Sequence, residues 1–248
     1  MKIVKEPELK ISAAQDFINT VEKSGKGFQT ILADPPWRFT NRTGKVAPEH
    51  RRLSRYVTLS LDEIKEIPVS IVAHENAHLY LWVPNALLPE GLEVMKAWGF
   101  QYKSNLIWHK IRKDGGPDGR GVGFYFRNTT EVILFGIRGR MRTLKPGRTQ
   151  VNIIKTQKQE HSRKPDALYN LIERCSPGPY LELFARGKRK GWEVFGNEAE
   201  NYEINWETYD NNSSKTKQIK SYHNKEITPS LFQAGHAKYN TRKRRSAH

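Results

Sequence analysis

The sequence predicts an α/β fold with a mainly parallel central sheet, and three observations carry that expectation. Short apolar runs rich in β-branched residues alternate with helix-period patterns, which is the signature of βαβ units. The links between most of them are short, as crossover connections require. The first of the runs, residues 29–33, is short and largely apolar and ends abruptly at Asp34-Pro35-Pro36-Trp37, as a strand covered on both faces does when it delivers a side chain to the sheet's carboxyl edge.

Residues 1–27 begin polar and then read as a helix, with Ile11, Ala14, Ile18 and Val21 at helical spacing and Gly25 and Gly27 as stop signals. After the 29–33 strand, residues 39–58 are polar and basic and predict a loop above the strand end. Ser60-Leu61-Asp62-Glu63 reads as a capping box opening a short helix that Pro68 ends. Residues 77–83 predict a strand, 87–98 a helix closed by Gly99, and 102–108 another strand. The glycine-rich stretch 110–127 interrupts the alternation. It lacks the following helix of a Rossmann fingerprint and the Gly-Lys-Ser/Thr of a Walker loop, so it is not a nucleotide-phosphate loop. Strands are expected at 130–136 and 151–155, a helix at 166–175 with Pro165 at its first turn, and strands at 180–185 and 192–195. Residues 1–204 are expected to form one catalytic domain and 205–248 a basic tail that is disordered or folds on binding.

Lys and Arg total 42 against 26 Asp and Glu, a net charge of +16, which suits a polyanionic partner. The tail alone holds nine basic and three acidic residues. No apolar run approaches a membrane-spanning length and no signal-peptide pattern opens the chain, so a cytoplasmic location is expected, in the prokaryotic cytoplasm or at the nucleoid, or in the nucleus if the source is eukaryotic. A single cysteine, Cys175, excludes an internal disulfide and a cysteine-based zinc cluster, and its apolar helical setting predicts a packing role.

Asp34-Pro35-Pro36-Trp37 presents a carboxylate, backbone carbonyls fixed by two prolines, and a large aromatic face. Such a set matches the demands of methylating the exocyclic amine of adenine. That nitrogen is a weak nucleophile whose lone pair is delocalised into the ring, and positive charge grows on it during attack, where fixed acceptors stabilise it. The motif resembles the DPPW signature of adenine-N6 methyltransferases of the mRNA adenosine methyltransferase seventy-kilodalton-subunit type. Further segments resemble that family in the same order: Leu79-Tyr80-Leu81-Trp82-Val83, Leu106-Ile107-Trp108-His109-Lys110, Ser162-Arg163-Lys164-Pro165-Asp166, Ile172-Glu173-Arg174-Cys175-Ser176-Pro177-Gly178, Glu182-Leu183-Phe184-Ala185-Arg186 and Gly196-Asn197.

The resemblance implies a Rossmann-like class I methyltransferase fold in permuted order, with the catalytic motif before the cofactor strand, and S-adenosylmethionine as cofactor with no metal. It implies catalytic roles for Asp34, Pro35, Pro36 and Trp37, and cofactor contacts from Asp34, Lys164, Phe184, Arg186, Asn197 and Glu198. Lys164 would meet the methionine carboxylate, and Asn197 and Glu198 the ribose and adenine. Three positions depart from the family: Ala185 and Arg186 stand where relatives carry glycine, and Glu198 stands where the mRNA enzyme carries an amide. Expected nucleic-acid contacts are Arg38, Arg42, Lys45, Arg51 and Arg52 in the first basic loop and Lys110, Arg112, Lys113 and Arg120 in the second. DNA is expected ahead of RNA, as in the prokaryotic or phage branch that includes restriction-modification enzymes; a homodimer or a related subunit stays open. The alternative is a non-catalytic nucleic-acid-binding subunit of the same fold, although such partners typically lose the acid retained here as Asp34. A nuclease ranks below both because no paired-carboxylate metal motif is present.

Overall fold

The computed structural model describes residues 27–38, 58–118, 125–157, 164–185 and 187–196. The expected N-terminal helix, most of the first basic loop, the centre of the second and the tail lie outside the described residues. All described residues fall within 1–204.

Seven strands form one sheet in the order β5-β3-β4-β2-β1-β6-β7. They are β1 (Phe28–Ala33), β2 (Ala73–Val83), β3 (Gln101–Ile111), β4 (Thr130–Arg138), β5 (Ile153–Gln157), β6 (Tyr180–Leu183) and β7 (Trp192–Phe195). Helices α1 (Leu61–Lys65), α2 (Val69–Val72), α3 (Leu88–Ala97) and α4 (Asp166–Cys175) connect them. β1 lies between β2 and β6 and runs parallel to both. β6 and β7 are parallel, as are β3 and β5. β4 pairs antiparallel with both β2 and β3, so it alone runs against the rest. The mainly parallel sheet expected from the alternation is present, and β4 departs from it for a local reason. No helix intervenes between β3 and β4 among the described residues; instead Arg112 N–H donates to the Gly116 carbonyl at 2.8 Å, turning the chain back.

The sheet is covered on both faces. Ile31, Ala33, Leu79, Leu81 and Val83 face a core shared with Ile64, Val94, Met95 and Trp98 of the α1–α3 side. Leu32, Tyr80, Trp82, Trp108 and Ile133 face the other core with Leu168, Tyr169 and Ile172 of α4. This two-sided burial is why β1 ends in the unbroken apolar run Ile31-Leu32-Ala33. α1 opens on the expected capping box: Ser60 Oγ accepts from Glu63 N–H at 3.3 Å, and Glu63 Oε2 accepts from Ser60 N–H at 2.7 Å. Pro68 does end that pattern, but it also caps α2, a short helix with no periodic signal of its own in the sequence. Strands β2 and β3 extend well beyond their expected ends because polar residues at sheet margins interrupt the apolar signal without interrupting the hydrogen bonding.

One buried polar group in β2 makes stability depend on pH. His78 is fully buried, with Nδ1 2.7 Å from Ser176 Oγ and its ring at 4.9 Å from Phe135. Burial pushes its pKa down to about 4, against a small opposing contribution from the Met141 backbone. The folded protein therefore holds His78 neutral where the unfolded chain takes up a proton, and stability is lost as pH falls from about 6.5 towards 4. About 2 kcal/mol should disappear between pH 7 and pH 5. Denaturant midpoints at the two pH values check this, and His78→Gln, which cannot titrate, should flatten the difference.

Candidate active site

Asp34 leaves β1 at the carboxyl edge of the sheet. Ala33 pairs with Leu81 of β2 and Leu183 of β6, so the next residue emerges level with Trp82 on one side and Phe184 on the other. The Asp-Pro-Pro turn that follows is fixed by its own hydrogen bonds. Trp37 N–H donates to the Pro35 carbonyl at 2.8 Å, and Leu59 N–H donates to the Pro36 carbonyl at 2.9 Å. One acceptor lone pair of Pro35 is thereby used and the second remains. Trp37 itself is 5% exposed, and its indole N–H donates to the Trp82 carbonyl at 3.0 Å. The motif offers the ring as an aromatic face; in the fold it packs in the core, and its indole bond to Trp82 ties the turn to β2.

A buried chain of charge connects Asp34 to the far side of the site. Lys164 Nζ lies 3.2 Å from Asp34 Oδ2 and 3.2 Å from Glu182 Oε1. The side chain of Asp34 is 35% exposed, whereas those of Lys164 and Glu182 are 8% and 5% exposed. Asp34 is therefore the open end of the chain. Tyr169 Oη donates to both Glu182 oxygens, at 3.0 and 3.1 Å, and its ring is stacked under Arg189 at 4.1 Å. Burial opposes the charge of Lys164, but the two carboxylates outweigh it and hold its pKa above the ordinary value. Glu182 and Tyr169 were not singled out in the sequence. The signal available was an acid inside Tyr180-Leu181-Glu182-Leu183, since a carboxylate within a strand buried on both faces demands a cation or strong donors.

Tyr169→Phe removes the donor that both Glu182 oxygens share. It should lower stability by about 1–2 kcal/mol, because a buried carboxylate loses a donor. The fall in the thermal unfolding midpoint checks this.

Beyond β6, Phe184 has φ 60°, the left-handed region that non-glycine residues enter only when packing compels it. Gly196, after β7, lies so close to this turn that an added Cβ would meet the Ala185 carbonyl oxygen at 2.6 Å. Backbone at the two strand ends is thus pressed together beside Asp34, the position at which open α/β sheets bind ligands.

On the opposite flank, Glu131 accepts from Trp82 Nε1 at 2.7 Å and is ion-paired with Lys110. Trp108 sits edge-on to Trp82 at 5.7 Å, and Lys110 Nζ lies 4.8 Å over the Trp108 ring. Of the expected nucleic-acid contacts, Lys110 thus has an internal carboxylate partner, and Arg112 has one in Asp114 at 2.7 Å. Arg38 donates to the Thr58 carbonyl at 3.0 Å and approaches Glu63 at 3.9 Å. Lys113 is exposed. Arg42, Lys45, Arg51, Arg52, Arg120, Arg186, Asn197 and Glu198 lie outside the described residues. No cluster of three or more His, Cys, Asp or Glu side chains suited to a metal occurs among the described residues, and no described helix is long and apolar enough to cross a membrane.

The MT-A70 family model matches residues 28–198, a span that runs from β1 past β7 and takes in every group just described. The chain belongs to the MT-A70 family. Its relatives include the type II methyltransferase M.MunI of Mycoplasma sp, 26% identical over 187 residues that cover 69% of this chain and 77% of that protein. A putative N(6)-adenosine-methyltransferase of Medicago truncatula is 31% identical over 175 residues. The human N(6)-adenosine-methyltransferase catalytic subunit METTL3 is 29% identical over 175 residues. This chain spans only 26% and 28% of the last two proteins, so the likeness to them concerns one domain. MT-A70 proteins are methyltransferases that take their methyl group from S-adenosylmethionine, and the strand arrangement here is that of a Rossmann-like methyltransferase.

Proposed function

We propose that this protein transfers a methyl group from S-adenosylmethionine to the exocyclic N6 amine of adenine in nucleic acid, with DNA as the substrate. The observation that carries the reading is the half-exposed Asp34 carboxylate at the end of the central strand, held from behind by buried Lys164 and Glu182. A charge so supported does not swing away when a ligand arrives. The residues present fit the cofactor: its methionine end carries one ammonium and one carboxylate, and the Asp34–Lys164 pair offers the complementary charges at the crevice where β1 and β6 end. When bound, the cofactor supplies an electrophilic methyl group.

Asp34 and the free lone pair of the Pro35 carbonyl then hold the adenine amine by its N–H bonds and stabilise the positive charge that grows there. Trp37 keeps the turn rigid and Phe184 shapes the crevice, while Arg186, Asn197 and Glu198 serve the cofactor. In a duplex the adenine must leave the stack to reach Asp34. The basic residues Arg38, Arg42, Lys45, Arg51 and Arg52, and Lys110, Arg112, Lys113 and Arg120, then hold the backbone, those with internal partners exchanging them for phosphates. We read the chain order, catalytic strand first and cofactor strand later, as permuted, 1–204 as the catalytic domain and 205–248 as a basic appendage. The choice of DNA is favoured by the coverage of the Mycoplasma type II enzyme, 77% of that protein against about a quarter of the eukaryotic ones. Transfer of labelled methyl to duplex DNA and to RNA, side by side, tests the proposal. Transfer to RNA alone would move the substrate assignment; transfer to neither by folded protein would remove the catalytic reading.

A further inference from the structure

The longest charge asymmetry in the folded part of the chain is remote from Asp34. From Val132 to Gln159 the sequence contains no Asp or Glu, yet it carries Arg138, Arg140, Arg142, Lys145, Arg148, Lys155 and Lys158. β4 delivers the first of them to the opposite edge of the sheet: Arg138 is paired with Ala77, near the start of the parallel strands. Asp34 is level with Trp82, so about five strand residues, roughly 17 Å, separate the two levels.

The loop that follows β4 is pinned from several sides. Arg138 Nη1 donates to the Ser70 carbonyl at 2.6 Å, Arg140 N–H to Asn76 Oδ1 at 2.8 Å, and Leu144 N–H to the Cys175 carbonyl at 2.8 Å. Gly147 is wedged against the end of α4, where an added Cβ would meet Cys175 Sγ at 2.5 Å. Arg148 Nε closes the loop on the Thr143 carbonyl at 3.2 Å. Arg140, Arg142, Lys145, Arg148 and the adjoining Arg174 of α4 are all exposed. None of these five forms an ion pair among the described residues, whereas Arg38, Lys65, Lys110, Arg112, Lys164 and Arg189 all do. A set of cations on a loop held by backbone bonds, with no ion-paired carboxylate among the described residues, repels itself, and an external anion relieves that repulsion.

We propose that the 138–148 loop and Arg174 form a second nucleic-acid contact, a sequence-blind anchor for the phosphodiester backbone on the edge opposite the catalytic one. The choice of nucleic acid as partner rests on the function proposed above. Four of the five exposed cations are arginines, whose planar fork suits phosphate oxygens. Leu144 is the one exposed large apolar residue in the loop, too little for a membrane-inserting face. Lys155, exposed on edge strand β5, continues the positive track toward the catalytic edge. The anchor engages segments that flank the target adenine and adds affinity without reading sequence.

The test uses full-length protein and the variant R140Q/R142Q/K145Q/R148Q, all surface positions outside the catalytic machinery. Binding is measured by anisotropy across a salt series with a duplex of about one helical turn, a duplex of about four turns, and a single-stranded RNA matching the longer length. On the long duplex the dependence of log affinity on log salt should become shallower by roughly 3, near 0.9 for each phosphate that is no longer neutralised. On the short duplex, binding and kcat should stay unchanged. A shift seen with RNA alone keeps the anchor and names RNA as its ligand. Identical slopes with every long ligand, or an equal loss on the short duplex, would overturn the proposal. Methyl transfer by the unmutated protein is scored on the same ligands, so the two readings fail separately: a slope shift without transfer removes the catalytic reading and leaves the anchor, and transfer without a slope shift does the reverse.

Discussion

Asp34→Ala is expected to reduce methyl transfer by about 10³-fold or more while leaving the protein folded, since removing one preorganised charge-stabilising group typically costs 10² to 10³ in rate. The expectation exceeds that of a single hydrogen bond for a structural reason. Asp34 is the open end of a network in which Lys164 and Glu182 are buried, and deleting it also strips Lys164 of one of its two carboxylates. Asp34→Asn separates these effects. It keeps an acceptor of the same shape and loses the charge, so it should retain more activity than Asp34→Ala, with the loss concentrated in kcat if the carboxylate acts on charge that develops only in the transition state. Initial rates with labelled cofactor on duplex DNA check the order; equal activity of Asp34→Ala and the unmutated protein would remove Asp34 from the chemistry.

What was legible in the sequence and what was not divide along sequence separation. The strand at 29–33, its stop at Asp34 and the capping box at Ser60 are local patterns, fixed by apolar runs, proline geometry and side-chain reach within a turn, and the structure contains all three. The mainly parallel sheet was also readable, because it follows from alternation along the chain. The reversal at β4 was not, since only the absence of a helix between two strands hints at it. At the site, a motif can state which residues matter but not which way they face. Trp37 belongs to the motif and yet is buried, its indole N–H bonded to the Trp82 carbonyl on another strand, a partner that no local pattern names. Lys164 reads from the sequence as a helix-start cation waiting for a ligand carboxylate, whereas in the fold two carboxylates of this chain already flank it. No local pattern could have paired it with Glu182, because the partners belong to different elements and meet only when β6 docks beside β1.

That pairing sets the second large effect. Lys164→Met should lower stability by about 3 kcal/mol, because removing one partner of a buried ion pair leaves the other uncompensated; in a domain of this size that is roughly a 10 °C fall in Tm. Two carboxylates, Asp34 and Glu182, would then share a site without the cation between them, and among the described residues Glu182 would retain the Tyr169 hydroxyl as its side-chain donor. S-adenosylmethionine should bind less tightly as well, since the site loses its positive charge. A purely structural role and a ligand-side role are told apart by the second substitution. Glu182→Gln on the Lys164→Met background removes the orphaned charge while keeping a group that Tyr169 can bond, and should restore more than half of the lost Tm. Cofactor affinity should not return with it, because the ammonium is still missing. If calorimetry instead finds affinity restored together with Tm, Lys164 acts only by supporting the fold; if Lys164→Met alone leaves both unchanged, the buried charge chain from Asp34 to Glu182 has no energetic weight.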